Sequence, residues 1–277
     1  MPPSQYKKRY ESLVVAVEKG GAQTIKLNRY RARYGGGYNE KAVKAFLDQF
    51  DKSGVDMTLQ VDSGSGSAPV DGADLKNFRT IARYVFAGKG SPEHCQMVLQ
   101  LVDHWKLAPS GLQAYADEAL GLDCNGFVGN YLWHDKRNKP WTDQGLNDDE
   151  GPDSSMSQYK RKNNNPVERW EDMAGASSYI FIKVDESGAI FEGGGPGAIA
   201  GHIAITEPNR FRAAKSSTPS GVWVVESTIA HNPGLWESWY SLDSMSKKSK
   251  HVFKVHREEM KTGKDHEYVF FRIFEVN

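Results

Sequence analysis

The order of the sequence patterns along the chain most constrains its fold, because helical patterns come first and extended patterns follow. Apolar residues recur at helical spacing in four segments: 40–50, 71–87, a helix that begins after Ser91, and about 110–120. Beyond about Ser177, β-branched and aromatic runs separated by Gly, Pro and Asn predict strands at 179–184, 202–205, 222–225, 251–255 and 268–276. Helices followed by strands favour an α+β fold with a largely antiparallel sheet.

The net charge of the chain argues against nucleic acid and anionic membranes as its main partners. Lys plus Arg number 35 and Asp plus Glu also number 35 among the 277 residues, so the chain is formally neutral. A neutral chain has no general attraction to nucleic acid or to an anionic membrane. No apolar run reaches the roughly 20 residues that span a bilayer, and the first residues lack the apolar core of a signal peptide. We therefore expect no nucleic-acid partner, no membrane span and no Sec signal.

The segment 122–132 carries the clearest chemical pattern. Asp123 is a good N-cap, and the apolar residues that follow it have helical spacing, so Cys124 falls in the first turn of a predicted helix. The unpaired N–H groups and the dipole of a helix start stabilise a thiolate and can also bind an oxyanion. The same position also suits a small buried thiol with no chemical role.

Two later residues supply the groups that a cysteine nucleophile needs. A Gly-rich approach at 197–201 leads to His202, which opens a short apolar strand. Glu226 lies near the end of the next predicted strand. A carboxylate beside a histidine fixes its tautomer and stabilises the imidazolium. Taken singly, His202 suits a structural role and Glu226 suits a strand end at the surface. Taken with Cys124, they follow the chain order of papain-like cysteine enzymes.

Two motifs resemble those of the NlpC-type cell-wall cysteine peptidases and the related CHAP amidases. Asp123-Cys124-Asn125-Gly126-Phe127-Val128 is similar to the family's Asp-Cys-Ser-Gly motif, with Asn in the third place, and Gly201-His202-Ile203-Ala204-Ile205 is similar to its histidine motif. The resemblance covers about residues 110–227. It implies a papain-like catalytic domain over 106–277. Residues 147–165 are polar and predict an exposed insertion in that domain. We expect the helical region 1–105 to pack on the domain, because the only linker signal is the short Gly/Ser break at 63–67.

The chain departs from that family pattern before the cysteine. The family has a Tyr and a Gly pair about a dozen residues upstream, where only Tyr115 occurs here, and Tyr34-Gly35-Gly36-Gly37 lies too far upstream to be assigned. Asp123, Asn125 and Tyr115 are the candidates for oxyanion or substrate contacts. A nucleophilic Cys124 must be free, so we expect Cys95 to be a core thiol and no disulfide to form. We expect no metal and no cofactor.

The resemblance implies hydrolysis of amide bonds in peptidoglycan stem peptides by the triad Cys124, His202 and Glu226. The protein would be cytoplasmic, exported by a specialised secretion system or released by lysis, as an antibacterial effector or lysin is. An effector would have an immunity protein as a partner. Two alternatives stay open: a cysteine-dependent deamidase or acyltransferase acting on a protein or lipid, and a catalytically inactive papain-like domain used for binding.

Overall fold

The computed structural model describes residues 1–18, 20–32, 37–62, 67–70, 75, 77–142, 151–163, 165–191, 201–216, 218–229, 233–257 and 268–276. Several predicted features fall wholly or partly outside these ranges. They are the Tyr-Gly segment at 34–36, the Gly/Ser break at 63–66, the start of the helix predicted at 71–87, part of the polar insertion at 147–150, and the Gly-rich approach to His202 at 197–200.

Seven α-helices lie in the described part of the chain: α1 Pro3–Glu11, α2 Glu40–Ser53, α3 Phe78–Tyr84, α4 Pro92–His104, α5 Leu112–Ala119, α6 Cys124–Arg137 and α7 Met156–Lys162. Polar side chains cap several of their starts. Asn39 Oδ1 accepts a hydrogen bond from Ala42 N at 3.0 Å, and Ser91 Oγ, as predicted, accepts one from His94 N at 3.2 Å. None of these helices combines the length and the apolar character that crossing a membrane requires.

The chain forms two compact units. One comprises residues 6–153 and the other residues 1–5 with 154–277. The first holds α2–α6 and two short hairpins, β1 Leu13–Ala16 with β2 Ala22–Ile25, and β3 Gln60–Asp62 with β4 Ser67–Pro69. These hairpins were not predicted. The boundary expected from the sequence, between residues 105 and 106, lies within this unit.

The second unit is built around a closed antiparallel barrel of six strands. They are β5 Tyr179–Val184, β6 Ile203–Arg212, β7 Gly221–Thr228, β8 Gly234–Met245, β9 Val252–Arg257 and β10 Tyr268–Glu275, in the order β10-β5-β6-β7-β8-β9. Five of these strands were predicted, but β8 was not. The α+β class and the antiparallel sheet are therefore confirmed, and the sheet closes on itself.

Aromatic and β-branched side chains fill the barrel. Phe181 lies at its centre, with its ring centroid 6.0 Å from Trp170, 5.5 Å from Tyr240 and 5.6 Å from Phe271. On β7, Val222 and Val224 belong to this core. Since alternate residues of a strand share a face, Glu226 continues the inward-facing row.

The polar segment predicted as an exposed insertion contains ordered structure. Ser155 and Gln158 form a capping box at the start of α7, in which each side chain accepts from the other residue's backbone N–H. Met156 and Tyr159 are buried. The strong cap and these two apolar side chains are enough to form a short helix in a segment whose composition suggested a loop.

We predict that Phe181→Ala lowers the free energy of unfolding by about 3–5 kcal/mol, because it leaves a cavity among three aromatic rings. Urea unfolding followed by tryptophan fluorescence measures this. The control is Ile229→Ala in the same unit, where the side chain is 49% exposed and the change should stay within about 0.5 kcal/mol. Equal effects of the two substitutions would contradict this description of the core.

Candidate active site

Cys124 is the first residue of α6, as its sequence position predicted. Asp123 has an extended backbone, and its Oδ1 accepts a hydrogen bond from Gly126 N at 2.6 Å. The Cys124 side chain is 8% exposed, and its Sγ donates a weak hydrogen bond to Asn125 Oδ1 at 3.6 Å. Cys95 and Cys124 are both free thiols. The thiol thus lies within the turn where a helix dipole favours the thiolate.

The start of α6 rests against the backbone of Gly88. Asp123 N donates a hydrogen bond to the Gly88 carbonyl at 3.1 Å. Gly88 has a φ of +84°, which a residue with a side chain rarely adopts. A Cβ on Gly126 would lie 1.8 Å from the same carbonyl oxygen. Close packing of two backbone segments therefore requires glycine at the fourth place of the cysteine motif.

The side chain of Asn130 holds the segment 88–90 beside α6. Its Nδ2, which carries two N–H donors, lies within hydrogen-bond distance of the carbonyl oxygens of Lys89 at 3.0 Å, Gly90 at 3.2 Å and Gly126 at 2.6 Å. Trp141 Nε1 donates to the Lys89 carbonyl at 3.1 Å. The backbone around the candidate nucleophile is thus fixed by side chains that the motif does not contain.

Tyr30 lies beside the cysteine turn, although it is distant in sequence. It forms a parallel bridge with Leu122, and Arg31 N donates to Leu122 O at 3.2 Å. Burial raises the pKa of Tyr30, and charges on Cys124 and Asp123 raise it further. Tyr30 is therefore a neutral phenol, close enough to Cys124 and Asp123 for their charges to affect it.

Tyr30 could not be assigned from the family pattern. That pattern places a tyrosine about a dozen residues before the cysteine, where only Tyr115 occurs. Tyr115 lies on α5, and burial and the charge of Glu118 raise its pKa. Within the described residues, its hydroxyl is buried with no hydrogen-bond partner. The tyrosines between residues 30 and 38 were the available signal, but only the fold shows that Tyr30 pairs with Leu122.

His202 and Glu226 meet inside the barrel unit. His202 directly precedes β6, and its Nε2 lies 2.6 Å from Glu226 Oε2. The same carboxylate oxygen accepts from Tyr240 Oη at 2.9 Å and from Arg257 Nη2 at 2.6 Å. Glu226 is 1% exposed, so it is a buried carboxylate with donors from β8, from β9 and from the residue that precedes β6.

The charges around Glu226 determine the state of His202. Burial alone would raise the pKa of Glu226, but Arg257 and the hydrogen bond from His202 hold it well below its usual range. Burial lowers the pKa of His202, and Arg257 adds to this effect against the opposing influence of Glu226. An ionised carboxylate only accepts hydrogen bonds, so Nε2 is the donor. The neutral ring then carries its lone pair on Nδ1.

The predicted site therefore has two parts, and the structure brings the residues of each part together within one unit. Asp123, Cys124 and Asn125 share one helix start in the first unit, and His202 and Glu226 form a hydrogen-bonded pair in the second. The pairing of Cys124 with His202 stays a prediction. Across the described residues, no group of three His, Cys, Asp or Glu side chains is arranged to hold a metal ion.

Comparisons with known proteins leave this geometry as the main basis for inferring function. No protein-family model matches the chain, and no curated protein and no solved structure matches it. The likeness to NlpC-type and CHAP enzymes accordingly rests on the two short motifs.

We predict that His202 is neutral at pH 6.5, with its proton on Nε2. Burial and Arg257 both oppose the imidazolium, and Glu226 requires a donor at Nε2. Long-range ¹H–¹⁵N correlation spectra of the histidine rings measure both properties. In Glu226→Gln the amide can donate or accept, so the preference for one tautomer should weaken. An imidazolium at pH 6.5, or a proton on Nδ1 in the neutral ring, would contradict this assignment.

We predict that Gly126→Ala destabilises the protein by about 1–3 kcal/mol, because its methyl group collides with the Gly88 backbone. Urea unfolding measures the loss. Gly175→Ala is the control, since a Cβ there meets no atom within 4 Å. If Gly126→Ala is as stable as Gly175→Ala, the close approach of Gly88 and α6 is incorrect.

Proposed function

We propose that the protein is a cysteine hydrolase that cleaves amide bonds, with Cys124 as nucleophile, His202 as general base and Glu226 as the group that orients the histidine. The buried His202–Glu226 pair carries this proposal. Its 2.6 Å contact leaves Nδ1 as a proton acceptor, and Arg257 helps keep the imidazole neutral. A base must be unprotonated before it can activate a thiol.

The reaction proceeds in two halves. His202 Nδ1 takes the proton from Cys124 Sγ, and the thiolate attacks the amide carbonyl carbon. The carbonyl oxygen becomes an oxyanion, for which the N–H groups at the start of α6 are donors, and the hydroxyl of Tyr30 is a further candidate. The imidazolium then protonates the leaving nitrogen, and a thioester remains on Cys124.

Water completes the cycle. His202 removes a proton from the attacking water, whose oxygen bonds to the thioester carbon. The C–S bond then breaks, the imidazolium returns the proton to Cys124 Sγ, and the acid product leaves. Glu226 stays ionised throughout and stabilises the imidazolium. The mechanism requires Cys124 Sγ within hydrogen-bond reach of His202 Nδ1 during the reaction.

A papain-like arrangement belongs to the same proposal. Three features support it: a nucleophile at the start of a helix, a histidine at the start of a later strand, and a carboxylate on the next antiparallel strand. The capped first turn of α6 and the hydrogen bond between His202, which precedes β6, and Glu226 on β7 support these roles.

The substrate class rests on the motif resemblance. We propose that the amide bond belongs to a peptidoglycan stem peptide, because residues 123–128 and 201–205 resemble motifs of cell-wall enzymes. An immunity protein that covers Cys124 would accompany such an enzyme if it acts as an antibacterial effector.

Purified Gram-negative sacculi test this function. Wild type should release new muropeptides whose masses identify the cleaved bond, and Cys124→Ala should release none. His202→Ala should lose at least about a hundredfold in rate, as expected for removal of a general base. Cys95→Ala is the matched control, since burial raises the pKa of that thiol and it should have no role.

Each other outcome points to a different function. Equal release by wild type and Cys124→Ala would contradict the proposed nucleophile. No release, together with rapid alkylation of Cys124 by iodoacetamide, would favour acyl transfer or deamidation on another substrate. Alkylation no faster than that of a model thiol would favour a binding domain without catalysis.

A further inference from the structure

We propose that Lys89 is a positioning residue whose ammonium group favours the thiolate form of Cys124. The inference rests on the proposed function, because it concerns the activation of the same nucleophile. Lys89 ends the helical turn Val85–Lys89 that follows α3, and its side chain is 10% exposed. A buried lysine at this place requires an explanation, since burying an ammonium group without a partner is costly.

Two carboxylates surround the ammonium group. Lys89 Nζ lies 2.7 Å from Asp123 Oδ2 and 3.7 Å from Asp153 Oδ1. The other oxygen of Asp123 accepts from Gly126 N in the first turn of α6. Lys89 therefore contacts the residue that directly precedes Cys124 and caps its helix.

Without Lys89, the negative charges of Asp123 and Asp153 would oppose the thiolate form of Cys124. Asp123 and Asp153 are both negative when ionised, and negative charge near a thiol favours its neutral form. Burial raises the pKa of Asp123, and the ion pair with Lys89 counteracts this. Tyr30 is another titratable side chain coupled to Cys124, and as a neutral phenol it supplies no charge.

The coupling between Lys89 and Cys124 acts in both directions. Burial alone would lower the pKa of Lys89, but Asp123, Asp153 and a charge on Cys124 raise it above its ordinary value. Interaction free energies between two sites are reciprocal. A thiolate that stabilises the ammonium group is therefore stabilised by it to the same extent.

The decisive experiment measures the alkylation rate of Cys124 by iodoacetamide from pH 5 to pH 10 and quantifies the labelled peptide by mass spectrometry. The key comparison is Asp123→Asn with Asp123→Asn/Lys89→Met. Asn keeps the helix cap, and the ion pair between Lys89 and Asp123 is absent from both proteins. Asp153 is present in both, so the two proteins differ mainly in the charge at position 89. Circular dichroism and urea unfolding establish that both are folded. Lys44→Met is the control, because that lysine is exposed and pairs with Asp48 one turn away on α2.

We expect the pH profile of the alkylation rate in Asp123→Asn/Lys89→Met to be shifted at least about one pH unit higher than in Asp123→Asn. At pH 7 this corresponds to about tenfold slower alkylation of Cys124. Lys44→Met should match wild type. Coincident profiles for the two Asp123 variants would overturn the role of Lys89. If wild-type Cys124 itself reacts no faster at pH 7 than a model thiol, the proposed function fails as well, and this outcome is visible without any substrate.

Discussion

The buried carboxylate of Glu226 is the constraint on which the barrel unit depends. A carboxylate at this depth must be neutralised and hydrogen-bonded, because an uncompensated buried charge is strongly destabilising. Arg257 on β9 and Tyr240 on β8 meet that need together with His202 before β6. Glu226 on β7 thereby requires a definite register of the strands that carry its partners. The contacts that fix this part of the barrel are the same ones that orient His202.

The same requirement, that a buried carboxylate has a counter-ion, holds next to Cys124 in the other unit. Asp123 is a carboxylate beside the thiol, and Lys89 is its buried counter-ion. In each unit a cation lowers the pKa of a buried carboxyl group and so opposes the effect of burial, which favours the protonated acid. Each ionised acid then has a local role, since Glu226 fixes the tautomer of His202 and Asp123 caps the helix that begins at Cys124.

The sequence predicts the parts of this arrangement that depend on local patterns. The cap at Asp123, the helical position of Cys124 and the neighbouring strands of His202 and Glu226 follow from spacing and side-chain type. Lys89, Tyr30 and Arg257 were missed, because long-range backbone pairing brings each of them to the site. Strand β8 was missed because its inward positions include Ser238 beside the buried charge, which weakens the apolar alternation. The closure of the sheet into a barrel leaves no local signal at all.

The most direct measurement of the central claim is a covalent cross-link between Cys124 and His202. The cross-linking reagent is 1,3-dibromoacetone, which has two alkylating carbons. One carbon reacts with a thiolate, and the other then reacts only with a second nucleophile that lies close by. We predict one linked peptide that joins Cys124 to a ring nitrogen of His202. It should be absent from His202→Gln and unchanged in Cys95→Ala. A reagent attached to Cys124 alone, or a link from Cys124 to another residue, would contradict the proposed pairing of nucleophile and base.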